Sequence, residues 1–359
     1  MPEQKNDQGL ITAPVVPEKA LLQVQGLSVC VNKNGNQYKI LDNISFNIKE
    51  GEILGLAGES GCGKSMSALS IAGLLPDGIK VTEGNIIYNN KNISALNEKK
   101  MCGIRGSEIS LIFQDVRQSL NPLMKVGRQI TETLSLDGRQ RDGMQYNSGY
   151  GNSQLKRQKR QNQQKEYKVS ALEILSSLGF DNPEKIFDGY PHQLSGGMCQ
   201  RVMTAIAVIR RPKLLLADEP SSSLDEESQQ RCISLLKEMN EKHRMSLLII
   251  SHDLSIIHKF TSRYLIMYSG KIMEEGPSKD LFSPLHPYTQ ALVKAMPNKE
   301  KKGSVLENIP GRIPSVEEEK KGCPFAARCI KAQNICRETL PGVKEKSARK
   351  TFCHFAEES

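Results

Sequence analysis

From Leu21 onward, apolar residues arrive in short runs broken by turn residues: LLQVQGLSVCV, YKILDNISFNI and GEILGLAG. Runs of this length and composition predict β-strands. The third run ends at Gly58, and in KSMSALSIAGLL behind it Met66, Leu69, Ile71 and Leu74 recur at helical spacing. That order is strand, loop, helix. Farther on, KLLLADEP and SLLIISHD are continuous apolar runs, as expected of parallel strands covered on both faces. Between them, EESQQRCISLLKEMNEKH sets Ile233, Leu236 and Met239 on one helical face. The alternation predicts an α/β core. From about Asp115 to Arg210 the pattern turns mainly helical, which predicts a helical subdomain interrupting that core. TQALVKAMP then ends a helix at Pro297, and a linker rich in Lys and Glu leads to a cysteine tail.

The 359 residues suit one large domain with an appendage, or two domains. Residues 1–20 show no basic stretch followed by an apolar run and are expected to be disordered. No stretch of about 18 apolar residues occurs, so neither a membrane span nor export by a conventional signal is expected. The formal charge of +9 is concentrated: residues 137–168 hold eight Lys or Arg against three Asp or Glu. This segment is rich in Gln, Asn, Gly and Ser without apolar periodicity, and is read as a solvated surface insertion with a phospholipid or nucleic-acid contact as the alternative. Five of the nine cysteines, at 30, 62, 102, 199 and 232, are scattered singly, which fits a reducing compartment and not a disulfide framework.

Chemistry concentrates in a few stretches. GESGCGKS, spanning Gly58, Glu59, Ser60, Gly61, Cys62, Gly63, Lys64 and Ser65 with Met66 behind it, satisfies G-x-x-x-x-G-K-[ST] between a predicted strand and a predicted helix. Its glycines let successive amides turn toward one centre and cradle phosphate oxygens. Lys64 would reach the β and γ phosphates, and the Ser65 hydroxyl would hold magnesium. In LLLADEP, two acids close an apolar strand, a costly arrangement unless a cation or a water needs them. Asp218 is placed to bind magnesium and Glu219 to polarise the attacking water; capping of the next helix is the structural alternative. In YPHQLSGGMCQR, Ser195, Gly196 and Gly197 precede a helix with Val202, Ile206 and Ile209 on its apolar face, which makes a second phosphate-binding surface.

Together with Gln114 in FQD, Asp225 closing SSLD and His252 in ISHDL, these stretches resemble the ATP-binding cassette subunits of ABC transporters over about residues 21–290. The resemblance implies a P-loop NTPase (ABC ATPase) core with a helical signature subdomain at about 115–210, and ATP with Mg²⁺ as cofactors. It implies further that Ser195, Gly196 and Gly197 touch the γ-phosphate bound by a partner cassette, and that Asp225, in the aspartate loop, belongs to the nucleotide-binding set. His252 would hold the γ-phosphate and orient the water, and Gln114 would sense magnesium and pass closure to a membrane partner. An adenine-stacking aromatic is expected before the phosphate loop, and Tyr38 is the candidate. Val116 stands where many relatives have proline and the aspartate loop opens on serines, but neither change removes a reacting group.

HPYTQALVKAMP from His286, IPG at 309–311 and GCPFAARC are similar to the peptide and nickel branch of importers, which assigns residues 291–359 to that branch's C-terminal region. The branch implies a second cassette subunit forming a heterodimer, two transmembrane permease subunits and an extracytoplasmic binding protein, with the chain peripheral on the cytoplasmic face of the membrane and no nucleic acid. Peptides are the expected cargo, and nickel or another small solute the alternative. A soluble non-transport ABC ATPase and a subunit that binds ATP without hydrolysing it are the rival functions. Cys323, Cys329, Cys336 and Cys353 form a small cysteine-rich C-terminal appendage spaced C-x5-C-x6-C-x16-C, with no C-x-x-C pair. Four thiolates can make a zinc site, and the resemblance implies a [4Fe-4S] cluster on these four residues, with Zn²⁺ and free thiols or a disulfide as alternatives.

Overall fold

The computed structural model describes residues 20–114, 119–141, 153–220, 226–296, 308–318, 321–346 and 348–356. Residues 1–19, Val116, Asp225 and the serines before it lie outside these, so the expectations placed on them do too.

The chain opens with β1 (Ala20–Lys33) and β2 (Asn36–Lys49), paired antiparallel through a two-residue turn. Asn34 and Gly35 take left-handed φ of 51° and 79°, the conformation that Asn-Gly tolerates in a hairpin. β3 (Ile53–Ala57), α1 (Lys64–Ala72), β4 (Ile79–Tyr88), β5 (Lys91–Asn92), α2 (Glu98–Ile104) and β6 (Ile109–Ile112) follow. Next come α3 (Val126–Arg141), α4 (Ser153–Ser177), α5 (Pro183–Asp188) and α6 (Gly196–Val208). β7 (Leu214–Asp218), α7 (Glu226–His243), β8 (Ser246–Ser251), α8 (Leu254–Phe260), β9 (Arg263–Tyr268) and β10 (Lys271–Pro277) return to α/β alternation. The chain closes with α9 (Pro287–Lys294), α10 (Asn334–Glu338), β11 (Lys344–Lys346) and β12 (Arg349–Thr351).

Two sheets result. One is the antiparallel sheet β2-β1-β4-β5; the other runs β11-β12-β10-β9-β3-β8-β7-β6, with parallel pairing from β9 to β6. β3, β7 and β8 are buried at every position, which explains their unbroken apolar runs. One core joins the antiparallel sheet and α1 to the parallel strands, through residues such as Leu27, Ile44, Ile71 and Leu216. A second lies on the other side, where Ile233 and Leu236 of α7 and Ile257 of α8 pack with Leu215 and Ile249. The helical subdomain has its own core of Val126, Ile130, Leu175, Phe180, Val202 and Ala205. Parallel pairing has one consequence for function: β3, β6, β7 and β8 all end on the same edge of the sheet, the usual place for a ligand in an α/β fold.

Two expectations need correction. The insertion at 137–168, whose lack of apolar periodicity gives no sign of regular structure, is helical where it is described: α3 continues to Arg141 and α4 begins at Ser153, with residues 142–152 outside the described residues. Gln, Lys, Arg and Glu are strong helix formers, so a polar composition signals exposure and not loss of helix. α4 is anchored at its other end, where Ala171 and Leu175 are wholly buried in the subdomain core. The C-terminal tail, in turn, is not set apart as an appendage. β12 pairs antiparallel with β10, Thr351 opposite Glu274, and Phe325 is buried in the second core. An open β10 edge offers unpaired backbone groups, and the tail covers them. Among the described residues, no helix is long and apolar enough to cross a membrane.

Candidate functional site

The phosphate-loop candidate links β3 to α1. Gly58 has φ 152°, and a Cβ there would come within 2.2 Å of the Met267 carbonyl oxygen; at Gly63, φ 111°, it would meet Leu41 Cδ2 at 2.7 Å. Both glycines are therefore required by the turn and by its close packing. Lys64 is buried, and its ammonium donates to the carbonyls of Gly58 and Glu59, each at 2.9 Å, so the lysine holds the curled loop on itself. The first amides of α1 have no acceptor within the helix, which leaves donors for an anion at its start. Sequence reasoning did not find the braces. Gly270, in the β9–β10 turn, donates its amide to Cys62 O at 2.8 Å, and the Tyr288 hydroxyl of α9 accepts the Glu59 amide at 2.9 Å.

Across the sheet edge, residues at or just beyond the ends of β6, β7 and β8 contribute. Asp218 ends β7 and is buried; its carboxyl is pushed up from its ordinary value by burial, against which the Ser65 hydroxyl hydrogen bond works. Asp218 Oδ1 is buried without a hydrogen-bond partner. A buried carboxylate oxygen left open, beside a hydroxyl from the phosphate loop, is a donor set that suits a hard divalent cation such as Mg²⁺. Glu219 follows with a left-handed φ of 48°. That strained turn separates the two acids, since Glu219 is held elsewhere: Gln114 Nε2 donates to Oε2 at 3.3 Å, and His252 Nδ1 lies 3.1 Å from Oε1. The predicted Gln114, Glu219 and His252, which come after β6, β7 and β8, thus form one polar cluster. A cavity of about 320 Å³ lies alongside, lined by Ser65, Gln114, Asp218 and Phe113.

The remaining candidates fall elsewhere. Ser195 caps α6, accepting the Met198 amide at 3.3 Å, and is exposed; neither it nor Gly196 or Gly197 lines the cavity beside Ser65. Tyr38 is half-buried on β2, the strand that also brings Leu41 against the phosphate loop. The four tail cysteines do converge. Cys323, Cys329, Cys336 and Cys353 line one cavity with Phe325, His286 and His354, of about 20 Å³, roughly the room one water needs. Burial raises the Cys323 thiol to about 11, and the Cys329 and Cys353 thiols are raised by the same cause. Among the described residues, no group of three or more His, Cys, Asp or Glu stands in metal-holding geometry. The thiols meet without forming a ligand set.

Comparison with known proteins agrees with this geometry. Residues 41–222 match the family described as ABC transporter, and residues 273–336 match the C-terminal region of oligopeptide/dipeptide transporters. The dipeptide transport ATP-binding protein DppD of Haemophilus influenzae is 39% identical over 336 residues, 93% of this chain and 95% of the relative. The oligopeptide transport ATP-binding protein AppD of Bacillus subtilis is 38% identical over 341 residues, 94% of this chain and 97% of the relative. Among solved structures, a dimeric ATP-binding cassette in a post-hydrolysis state with ADP and Pi superposes with a TM-score of 0.60 at 26% identity, covering 72% of this chain and 99% of that one.

Proposed function

The chain belongs to the ATP-binding subunits of ABC transporters, in the oligopeptide and dipeptide branch, and on that premise we propose that it powers peptide import by hydrolysing ATP between two cassettes. The observation that carries the reading is the Glu219 carboxylate, held between Gln114 and His252 one residue beyond the buried Asp218.

In this reading the phosphates lie on the amides of the 58–65 loop, with Lys64 on the β and γ groups. Ser65, Gln114 and Asp218 would hold Mg²⁺, which when bound would neutralise the charge of the phosphates. Glu219 takes the proton of a water as its oxygen attacks the γ-phosphorus, while the bond to the bridging oxygen breaks and ADP leaves. His252 keeps Glu219 aimed and meets the γ-phosphate. The exposed Ser195, with Gly196 and Gly197 in the first turn of a 13-residue helix, presents a hydroxyl and a positive helix end to the nucleotide of a facing cassette. ATP then supplies the charge that both faces need, and binding closes the pair.

The partners that go with the branch are a paralogous cassette, two permease subunits at whose cytoplasmic side the chain sits, and an extracytoplasmic binding protein. The tail cysteines are assigned to a [4Fe-4S] cluster, with zinc as the alternative. Its support is the family resemblance and the convergence of the four thiols on one cavity; against it, that cavity has room for about one water, and no described residues stand in metal-holding geometry. One anaerobic preparation of the chain with its permeases, in liposomes with binding protein, tests the whole reading. Di- and oligopeptides should stimulate ATP hydrolysis severalfold, and the protein should contain iron and acid-labile sulfide. Stimulation by nickel alone would replace the cargo, and stoichiometric zinc in colourless protein would replace the cluster.

A further inference from the structure

Glu59 puts a carboxylate into a loop shaped to hold phosphate, where a negative charge works against the ligand. The counter-charge comes from the far end of the chain. Arg328, one residue before Cys329, donates from Nη1 to Glu59 Oε2 at 2.7 Å and from Nη2 to Oε1 at 3.0 Å. This two-pronged pairing is the strongest geometry open to arginine and a carboxylate. The other donors are engaged as well: Nε on the Pro310 carbonyl at 2.8 Å, Nη2 on the Ile309 carbonyl at 3.2 Å and Nη1 on the Tyr268 hydroxyl at 3.3 Å. A guanidinium carries five N–H groups, and five acceptors surround this one. The arginine side chain is 5% exposed and that of Glu59 26%, so the pair is sheltered on the arginine side.

Each stretch that the cassette motifs leave unexplained takes part. The IPG turn supplies the two carbonyls, and its Gly311, at φ 77°, lies against the arginine stem, where a Cβ would come within 3.3 Å of Cγ. HPYTQALVKAMP supplies Tyr288, whose hydroxyl accepts the Glu59 amide at 2.9 Å. GCPFAARC supplies Arg328 itself and Phe325, whose ring stands 5.3 Å from that of Tyr268 and 5.2 Å from that of Tyr288. Three segments dispersed over 286–329 therefore close on a single residue of the phosphate loop.

We propose that Arg328 is a positioning residue for nucleotide binding: it cancels the Glu59 charge and fixes the phosphate loop, so that docking of the cysteine tail and binding of ATP favour one another. This rests on the reading of residues 58–65 as the ATP loop. Breaking a sheltered ion pair leaves the other charge uncompensated, here within the anion site. Linkage makes the effect reciprocal: what the docked tail adds to ATP affinity, ATP returns as protection of the tail.

The test uses the full-length chain, titrated with a fluorescent ATP analogue and Mg²⁺, and hydrogen–deuterium exchange of the 323–336 peptides with and without ATP. Arg328→Met should weaken nucleotide binding about tenfold, and Arg328→Lys, which keeps the charge without the fork, about threefold. Adding Glu59→Gln to Arg328→Met should recover most of the loss, because the bare carboxylate is its cause. In the wild type, ATP should slow exchange across 323–336; in Arg328→Met that dependence should vanish, a change that a purely structural role would not produce. Wild-type affinity in folded Arg328→Met, no recovery in the double variant, or wild-type exchange indifferent to ATP would each overturn the proposal. Should Arg328→Met not fold, the wild-type exchange comparison decides alone. A wild type that binds no nucleotide would instead sink the ATP reading itself.

Discussion

The hydrolytic edge of the sheet and the cysteine tail meet at Glu59, yet they are built on opposite plans. At the sheet edge, each reacting side chain sits at the end of a largely buried strand or one or two residues past it, and backbone pairing brings Gln114, Asp218, Glu219 and His252 into line. In the tail, β11 and β12 are three residues each, and position comes from side chains: Phe325 among Tyr268 and Tyr288, Arg328 on Glu59. The sheet edge can lose a reacting group and keep its shape. The tail, held by packing, cannot lose an anchor without loosening the sheet it covers.

The largest expected effect breaks chemistry without touching structure. Glu219→Gln keeps a side chain that can still bond to His252 but cannot take a proton from water, so ATP hydrolysis should fall about a thousandfold, roughly 4 kcal/mol of barrier. Thermal melting should stay within about 1 °C of wild type, since glutamine keeps the size of Glu219 and can still bond to its neighbours, and the residue belongs to none of the apolar cores. Steady-state phosphate release and a melting curve on one preparation check both halves. Hydrolysis surviving at the wild-type rate would overturn the role of Glu219 as the general base.

Phe325→Ala probes the other plan. Removing a buried phenyl ring should cost about 3 kcal/mol, and because Phe325 belongs to the core of Ile249, Tyr264 and Tyr268, the loss should lower a single cooperative melt. Calorimetry distinguishes the outcomes: an early, separate transition with the main midpoint unmoved would make the tail an independent appendage after all. The same contrast explains what could be read from the chain before its fold was known. Buried parallel strands announce themselves as continuous apolar runs, and the phosphate loop is contiguous in sequence, so the strands, the 58–65 loop and the acids closing β7 were legible, whereas Gln114 and His252 were named only through the family resemblance. The Arg328–Glu59 pair spans 269 residues, and the KEK of β11 is exposed at every position, so neither leaves a periodic or local trace. The helix α4 was hidden for a related reason: residues 161–166 are all polar and exposed, and the apolar anchor at Ala171 and Leu175 lies past the basic polar segment. The cysteines were legible as a group, and the cavity joins all four, but their spacing says nothing of how far their sulfurs stand from ligand geometry.

The smallest effect asks whether the seam between the two regions is sensitive to pH. His286 caps α9, accepting the Tyr288 amide on Nδ1 at 3.0 Å, while its own amide is held by Glu274 at 2.9 Å. Its ring is buried, with Nε2 lacking a hydrogen-bond partner, and burial lowers its pKa from 6.5 to about 4. The folded chain thus refuses a proton that the unfolded chain accepts below about pH 6.5, so unfolding free energy rises with pH in the window between the two values and is lost as pH falls through it. From pH 7.5 to 5.5 the loss should be about 1 kcal/mol. His286→Asn retains an acceptor for the Tyr288 amide and has nothing to protonate, so the difference between the two denaturation midpoints should narrow as pH drops. Parallel midpoints across that range would mean that the ring takes up its proton without disturbing the seam, and that the tail is joined to the sheet less tightly than Phe325 and Arg328 imply.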